Sequence, residues 1–212
     1  MESNWAAENL QTIRTLMERS AVYRRALAPV MIFAGMAGVI GALTGELLKI
    51  RNGGLFAIYW MAISLVSIAG AFMLVRRQAL KSGEAFWSPP TRRIAQAMFP
   101  PLLIGFVIGV IAAISFSSKY DPDAEADVVF LVPVWGLLYG LALNAAGFFM
   151  PRGIKLFGWA FIIAGLGLLL KSGAIAQTGA FSPHLLMGVL FGASHLAYGI
   201  YLYFTEPRKN EA

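Results

Sequence analysis

The chain contains no cysteine and only two histidines among its 212 residues. Disulfides, thiolate metal sites and cysteine nucleophiles are therefore excluded. Two imidazoles are also too few for an all-histidine metal cage. Charge is scarce as well: Asp, Glu, Lys and Arg make up 13% of the residues, against about 25% in an ordinary soluble domain. Hydrophobic residues make up 58%, and the mean hydropathy is +0.67. So few charges cannot give this much apolar sequence a water-facing surface. Neither a glycine-rich phosphate loop nor a Gly-x-Ser-x-Gly elbow occurs. Nothing in the pattern indicates an enzyme, a cofactor or a metal centre.

The apolar residues fall in long blocks, and a bilayer core needs about 20 such residues per helix. Six blocks qualify: 26–48, 55–75, 98–117, 128–150, 154–170 and 184–204. Turn-forming clusters separate them, among them Asn52-Gly53-Gly54, Ser88-Pro89-Pro90, Pro151-Arg152-Gly153 and Ser182-Pro183. Transmembrane barrel strands are about ten residues long and alternate in polarity; these blocks do not. The fold class predicted is all-α, an integral membrane bundle of six transmembrane helices (26–204). A cytoplasmic arm (1–25) precedes it and a short cytoplasmic tail (205–212) follows.

Lys and Arg set the orientation. Thirteen of the seventeen fall on one side: Arg14, Arg19, Arg24, Arg25, Arg76, Arg77, Lys81, Arg92, Arg93, Arg152, Lys155, Arg208 and Lys209. The other side holds Lys49, Arg51, Lys119 and Lys171. The positive-inside rule then predicts cytoplasmic termini, and an even number of spans requires both ends to share a side. The opposite loop carries Asp121, Asp123, Glu125 and Asp127 at alternate positions. They mimic the first ligands of an EF-hand, but Ala126 replaces its glycine and Val132 its closing glutamate. Weak cation attraction is all this loop predicts. The first block follows 25 residues of mixed charge and is long enough to cross, so it is expected to be retained rather than cleaved as a signal.

Residues 5–25 read as an amphipathic helix, with Leu10, Ile13, Met17 and Ala21 on one face and Arg14, Glu18 and Arg25 on another. Arg19, Arg24 and Arg25 are expected to meet anionic lipid headgroups, with docking onto a membrane or cytoplasmic protein as the alternative. The net charge of +6 does not point to nucleic acid. Arg76-Arg77 and Arg92-Arg93 flank a loop with Phe86 and Trp87. Juxtamembrane arginines of this kind set topology, and Trp87 reads as an interface anchor.

Membrane helices associate through close backbone approach at small residues. Such stripes run through the first block (Gly35, Gly38, Ala42, Gly45), the third (Gly105, Gly109, Ala113), the fourth (Gly136, Gly140) and the sixth (Gly188, Gly192). They predict a tight bundle. No mid-membrane Gly-Pro break marks a broken-helix binding site.

Ionisable and strongly polar groups inside a membrane are costly and few. His195 is the deepest, on a stripe with His184, Gly188, Gly192 and Gly199, and is expected to face a packed neighbour rather than lipid. It reads either as a structural, neutral imidazole or as a proton relay or ligand contact, with Tyr198, Tyr139 and Asn144 as candidate companions. Asn144 otherwise reads as one end of an interhelical hydrogen bond. Glu46 and His184 share a depth at the opposite end of the bundle and could pair.

Three functions fit these residues. The first is a non-enzymatic membrane component, a sensor or scaffold subunit. The second is a small-molecule or proton transporter with a midplane site near His195. The third is a haem- or quinone-binding subunit using His195, although no second span supplies a partner histidine. The stretch 13–23 (Ile-Arg-Thr-Leu-Met-Glu-Arg-Ser-Ala-Val-Tyr), followed by a glycine-rich span, resembles the start of an uncharacterised family of bacterial multi-pass membrane proteins. The segment 192–199 (Gly-Ala-Ser-His-Leu-Ala-Tyr-Gly) is similar to that family's closing segment. The resemblance covers the two ends and implies a bacterial inner membrane. It transfers no functional residue.

Overall fold

A computed structural model describes residues 26–81, 83, 85–116, 124–178 and 181–205. The amphipathic arm with Arg19, Arg24 and Arg25, residues 206–212 of the tail, and Asp121 and Asp123 lie outside the described residues. Six helices are long and apolar enough to cross a bilayer. They are α1 (Ala26–Leu47), α2 (Gly53–Lys81), α3 (Pro89–Ser115), α4 (Ala124–Ala146), α5 (Arg152–Thr178) and α6 (Pro183–Thr205). No strand occurs among the described residues. The chain is a multi-pass membrane protein by length and composition of its helices. Its surface agrees, because Leu47, Leu170 and Phe204 stand 78–88% exposed. In water such a surface would aggregate; in hydrocarbon it needs no cover.

Helices α2, α3 and α5 run past their apolar blocks, α2 continuing from residue 75 to Lys81, and α4 is shifted, starting at Ala124 rather than residue 128 and ending at Ala146 rather than residue 150. α5 continues to Thr178 rather than ending near residue 170. Lys171 reaches outward, while Ser172 and Thr178 bond back to the carbonyls of Leu169 (2.6 Å) and Ala174 (2.9 Å). These polar residues need no outside partner, so the helix does not stop at them. α3 begins at Pro89, well before residue 98, because Ser88 is extended and proline suits the first helical position. It also carries Pro100 and Pro101 within its length.

The small-residue stripes meet one another. α1 and α6 pack antiparallel, and a Cβ at Gly192 would lie 2.7 Å from Val39 N and 3.0 Å from Gly38 C. At Gly199 it would reach Ile32 N at 2.8 Å, and at Gly188 it would strike Ala42 Cβ at 2.5 Å. Gly35 and Gly38 return the contact from α1. A second antiparallel ladder joins α4 to α5, where Gly140 faces the Gly158 carbonyl and Gly165 faces Leu137 N. Neither ladder has room for a side chain, so the backbones themselves form the contact. α4 is central, with Val132, Ala142 and Ala146 fully buried. It reaches α3 through Trp135 Nε1, which donates to the Gly105 carbonyl at 2.9 Å.

α2 is the least enclosed span. Its buried residues cluster at one end, from Gly53 to Trp60, with Ala79 alone near the other. Tyr59 pins that end to α1 by donating to the Gly41 carbonyl at 2.7 Å, and its hydroxyl also meets Thr44 Oγ1.

Gly192→Leu is expected to lower stability by about 1–3 kcal/mol through overpacking of α1 against α6. Gly167→Leu, where an added Cβ meets nothing within 4 Å, is expected to stay within about 0.5 kcal/mol of the parent. Thermal unfolding of both variants in detergent checks this, and indistinguishable curves would refute the ladder.

Candidate functional site

Both histidines lie on α6, and both are almost fully buried, His184 at 1% and His195 at 3% exposure. Between them runs a π-helical segment, Gly188–Ala193. It widens the helix where α6 crosses the glycines of α1 and shifts the register of the residues beyond it. The glycines of α6 then face α1, whereas His195 faces α4 and α5. Sequence spacing put them on one stripe with one neighbour. The imidazole does face protein rather than lipid, but the protein is a different pair of helices.

His184 opens the first turn of α6. Trp60 Nε1 donates to its Nδ1 at 3.1 Å, and its Nε2 lies 2.9 Å from the Ile50 carbonyl. An indole nitrogen only donates and a carbonyl only accepts. Nδ1 must therefore carry the lone pair and Nε2 the proton. The ring rests on Gly45 of α1, where any Cβ would collide with it, and on Phe56 and Tyr59 of α2, at centroid distances of 4.9 and 5.7 Å. The Ile50 carbonyl is held by the turn that ends α1. Lys49 adopts a left-handed φ of 53° there, with Ile50 N donating to Gly45 O and Lys49 N to Glu46 O. This is the Schellman arrangement, with lysine in the place glycine usually takes.

Glu46 and His184 share this end of the bundle, but their side chains have other partners. Glu46 forms an ion pair with Arg51 at 2.8 Å and accepts from the Ser182 hydroxyl. Ser182 in turn accepts from the His184 backbone N–H at 3.2 Å and caps α6. The carboxylate thus ties the α1–α2 turn to the start of α6 without touching the imidazole nitrogens.

His195 has the opposite tautomer. Its Nδ1 lies 2.6 Å from the Phe191 carbonyl, so Nδ1 carries the proton, and Nε2 accepts the Tyr139 hydroxyl at 2.7 Å. Tyr139, Phe157, Phe161 and Phe191 surround the ring, with centroids 5.2–6.5 Å away. Tyr198 stacks on Phe157 at 4.6 Å, and its hydroxyl lies over Gly153 at the start of α5. Asn144 sits on α4 beside Gly158 of α5. Its side-chain nitrogen is buried without a hydrogen-bond partner among the described residues, so the interhelical bond expected of it is not made by that atom.

Of the six sequence candidates, only Tyr139 and His195 meet directly; Tyr198 reaches His195 through Phe157, which touches both, and Asn144 makes no contact with this group. His184 and Glu46 form a separate group at the other end of the bundle. Sequence reasoning missed Trp60, Ile50 and the aromatic shell. Spacing of four, in Phe157 with Phe161 and in Phe191 with His195, is the signal that could have found the shell. Among the described residues no three His, Asp or Glu stand together as a metal site. Comparison with protein families, curated proteins and solved structures finds no match.

Nitrogen NMR of protein labelled at histidine is expected to show two neutral rings of opposite tautomer, Nε2–H at His184 and Nδ1–H at His195. Matching tautomers would contradict the hydrogen bonding. In a double-mutant cycle, Tyr139→Phe and His195→Phe are expected to show a coupling of about 0.5–1.5 kcal/mol. Additive losses would mean that the phenol–imidazole bond contributes nothing.

Proposed function

We propose that the chain is a non-enzymatic component of a bacterial inner membrane, a scaffold or sensor subunit with both termini in the cytoplasm. The observation that carries this reading is how the span polar groups are used. Both nitrogens of each imidazole are bonded to protein, and Tyr59, Trp60, Trp135 and Tyr139 each meet a partner on another helix. Side chains that fasten helices to one another support a structural bundle. The positions of the thirteen Lys and Arg support the orientation, and the resemblance at the two ends supports the bacterial membrane. In this reading the basic arm and the α2–α3 loop face the cytoplasm, where anionic headgroups or a protein partner would meet them.

One observation favours a transporter as the second reading. The chain from Tyr139 hydroxyl to His195 to Phe191 carbonyl sits beside a π-helical segment, and such segments recur at functional sites. A proton arriving at Nε2 would reverse the bond, with Nε2–H donating to the phenol oxygen. Proton flux in liposomes no greater than in empty ones would remove this reading. The third reading, haem, fits the residues poorly. An iron atom would need an imidazole nitrogen of His195, and both already have partners inside a shell of aromatic rings. A quinone would have to enter the same shell.

The absence of native cysteine makes the orientation directly measurable. Ser118→Cys is expected to react with an impermeant maleimide on intact cells, and Ala212→Cys only after lysis. The opposite pattern would overturn the orientation. For the scaffold role, membranes crosslinked before extraction are expected to hold a partner that protein lacking residues 1–25 releases. Identical behaviour of the two would count against that role.

A further inference from the structure

The geometry points to a binding site for an anionic phospholipid on the outward face of α2 at its Lys81 end. The inference deepens the membrane reading above by naming a ligand for the basic end of the α2–α3 hairpin. Met73, Arg76, Arg77, Leu80 and Lys81 line one open surface cleft. Their spacings of three, four, seven and eight residues place them on one stripe of a helix. Met73 and Leu80 are 68% and 69% exposed, and the three cations are exposed beside them. The one ion pair among the described residues, Arg51 with Glu46, lies at the other end of α2.

Depth separates this stripe from an ordinary topological cluster. α2 has 29 residues, a length of roughly 43 Å at 1.5 Å per residue, which exceeds a hydrocarbon core of about 30 Å. Gly53–Val75 is enough to cross, so Arg76, Arg77 and Lys81 emerge at the level of lipid phosphates. Met73 lies one turn deeper, among acyl chains. Water suits only half of such a stripe and hydrocarbon only the other half. A molecule with an anionic head and an apolar tail suits both. An adjoining face of the same turns is turned to protein, since Ala79 is buried and Phe72 packs edge-on against Phe86 of the following loop at 4.7 Å. The stripe itself stays exposed and faces the lipid.

The test is a titration of the purified full chain in a neutral detergent, with phosphatidylglycerol or phosphatidylcholine, read by native mass spectrometry. Wild type is expected to bind phosphatidylglycerol in preference to phosphatidylcholine. R76Q/R77Q is expected to weaken phosphatidylglycerol binding by roughly tenfold or more, each cation near a membrane surface being worth about fivefold. R92Q/R93Q removes the same charge from α3 at the same end of the bundle and is expected to change binding less than about threefold. Equal losses in the two variants would mean a diffuse field and overturn the site, as would equal binding of the two lipids. Should R76Q/R77Q fail to fold, a photoactivatable phosphatidylglycerol on unaltered protein decides. Its crosslinks are expected within 73–81, and crosslinks elsewhere overturn the assignment. Binding in detergent does not depend on orientation, so failure here and failure of the maleimide experiment are separate results.

Discussion

Hydrocarbon offers no hydrogen bonds and gives apolar side chains no reason to leave it, and the architecture is a consequence of that solvent. Helices in it must be held by backbone proximity or by polar bonds between them. α1 and α6 use the first device almost without interruption, from Gly45 against His184 at one end to Gly199 against Ile32 at the other. This contact joins the first described span to the last. It closes the bundle between segments that fold at opposite ends of the chain, and it fixes the height of α6. The heights at which His184 and His195 enter the interior are set by the same glycines.

The two histidines show the second device. Each ring nitrogen has a partner that chemistry restricts to one role: indole N–H as donor for His184, backbone carbonyl as acceptor for both. The tautomers are thereby forced to differ, because the carbonyl is reached by Nε2 in one ring and by Nδ1 in the other. A single helix thus presents two imidazoles to two sets of helices, α1 and α2 at its start, α4 and α5 further along. The π-helical segment between them lets one helix serve both, since a regular helix would keep the later residues in the register of the earlier ones.

The span number, the helical class and the packing stripes were legible in the sequence. Length and hydropathy suffice for a span, and small residues at steps of three and four mark a close approach. Gly35, Gly38, Ala42 and Gly45, together with Gly188 and Gly192, all lie in the contact their spacing suggested. What could not be read is which helix a given face meets. Trp60 lies 124 positions from His184, and no local pattern links them. The π-helical segment was equally hidden, because Gly188–Ala193 contains no proline and no polar break. The extent of α5 was misjudged because Lys171 and Ser172 lower hydropathy without weakening a helix. The arm, read from its periodicity alone, falls outside the described residues, as do Asp121 and Asp123, whereas Glu125 and Asp127 belong to the first turn of α4 rather than to a loop.

Packing is uneven across the bundle, and the unevenness has consequences. α1, α4, α5 and α6 are drawn together by glycine-on-backbone contacts, whereas α2 is buried chiefly from Gly53 to Trp60. That stretch holds α2 to α1 through Tyr59 and to α6 through Trp60. Beyond it, Leu65, Val66, Ile68 and Met73 face outward, and the inward contacts are few: Ile63 on Gly41 and Gly70 on Phe33 of α1, and Met61 on Gly109 of α3. Local opening free energy rises with the density of packed contacts. The hairpin of α2 and α3 is therefore loosely held on its α2 side only, beyond a root fixed by Trp60 and His184, since Trp135 bonds α3 to α4. Its free end carries Arg76, Arg77, Lys81, Arg92 and Arg93.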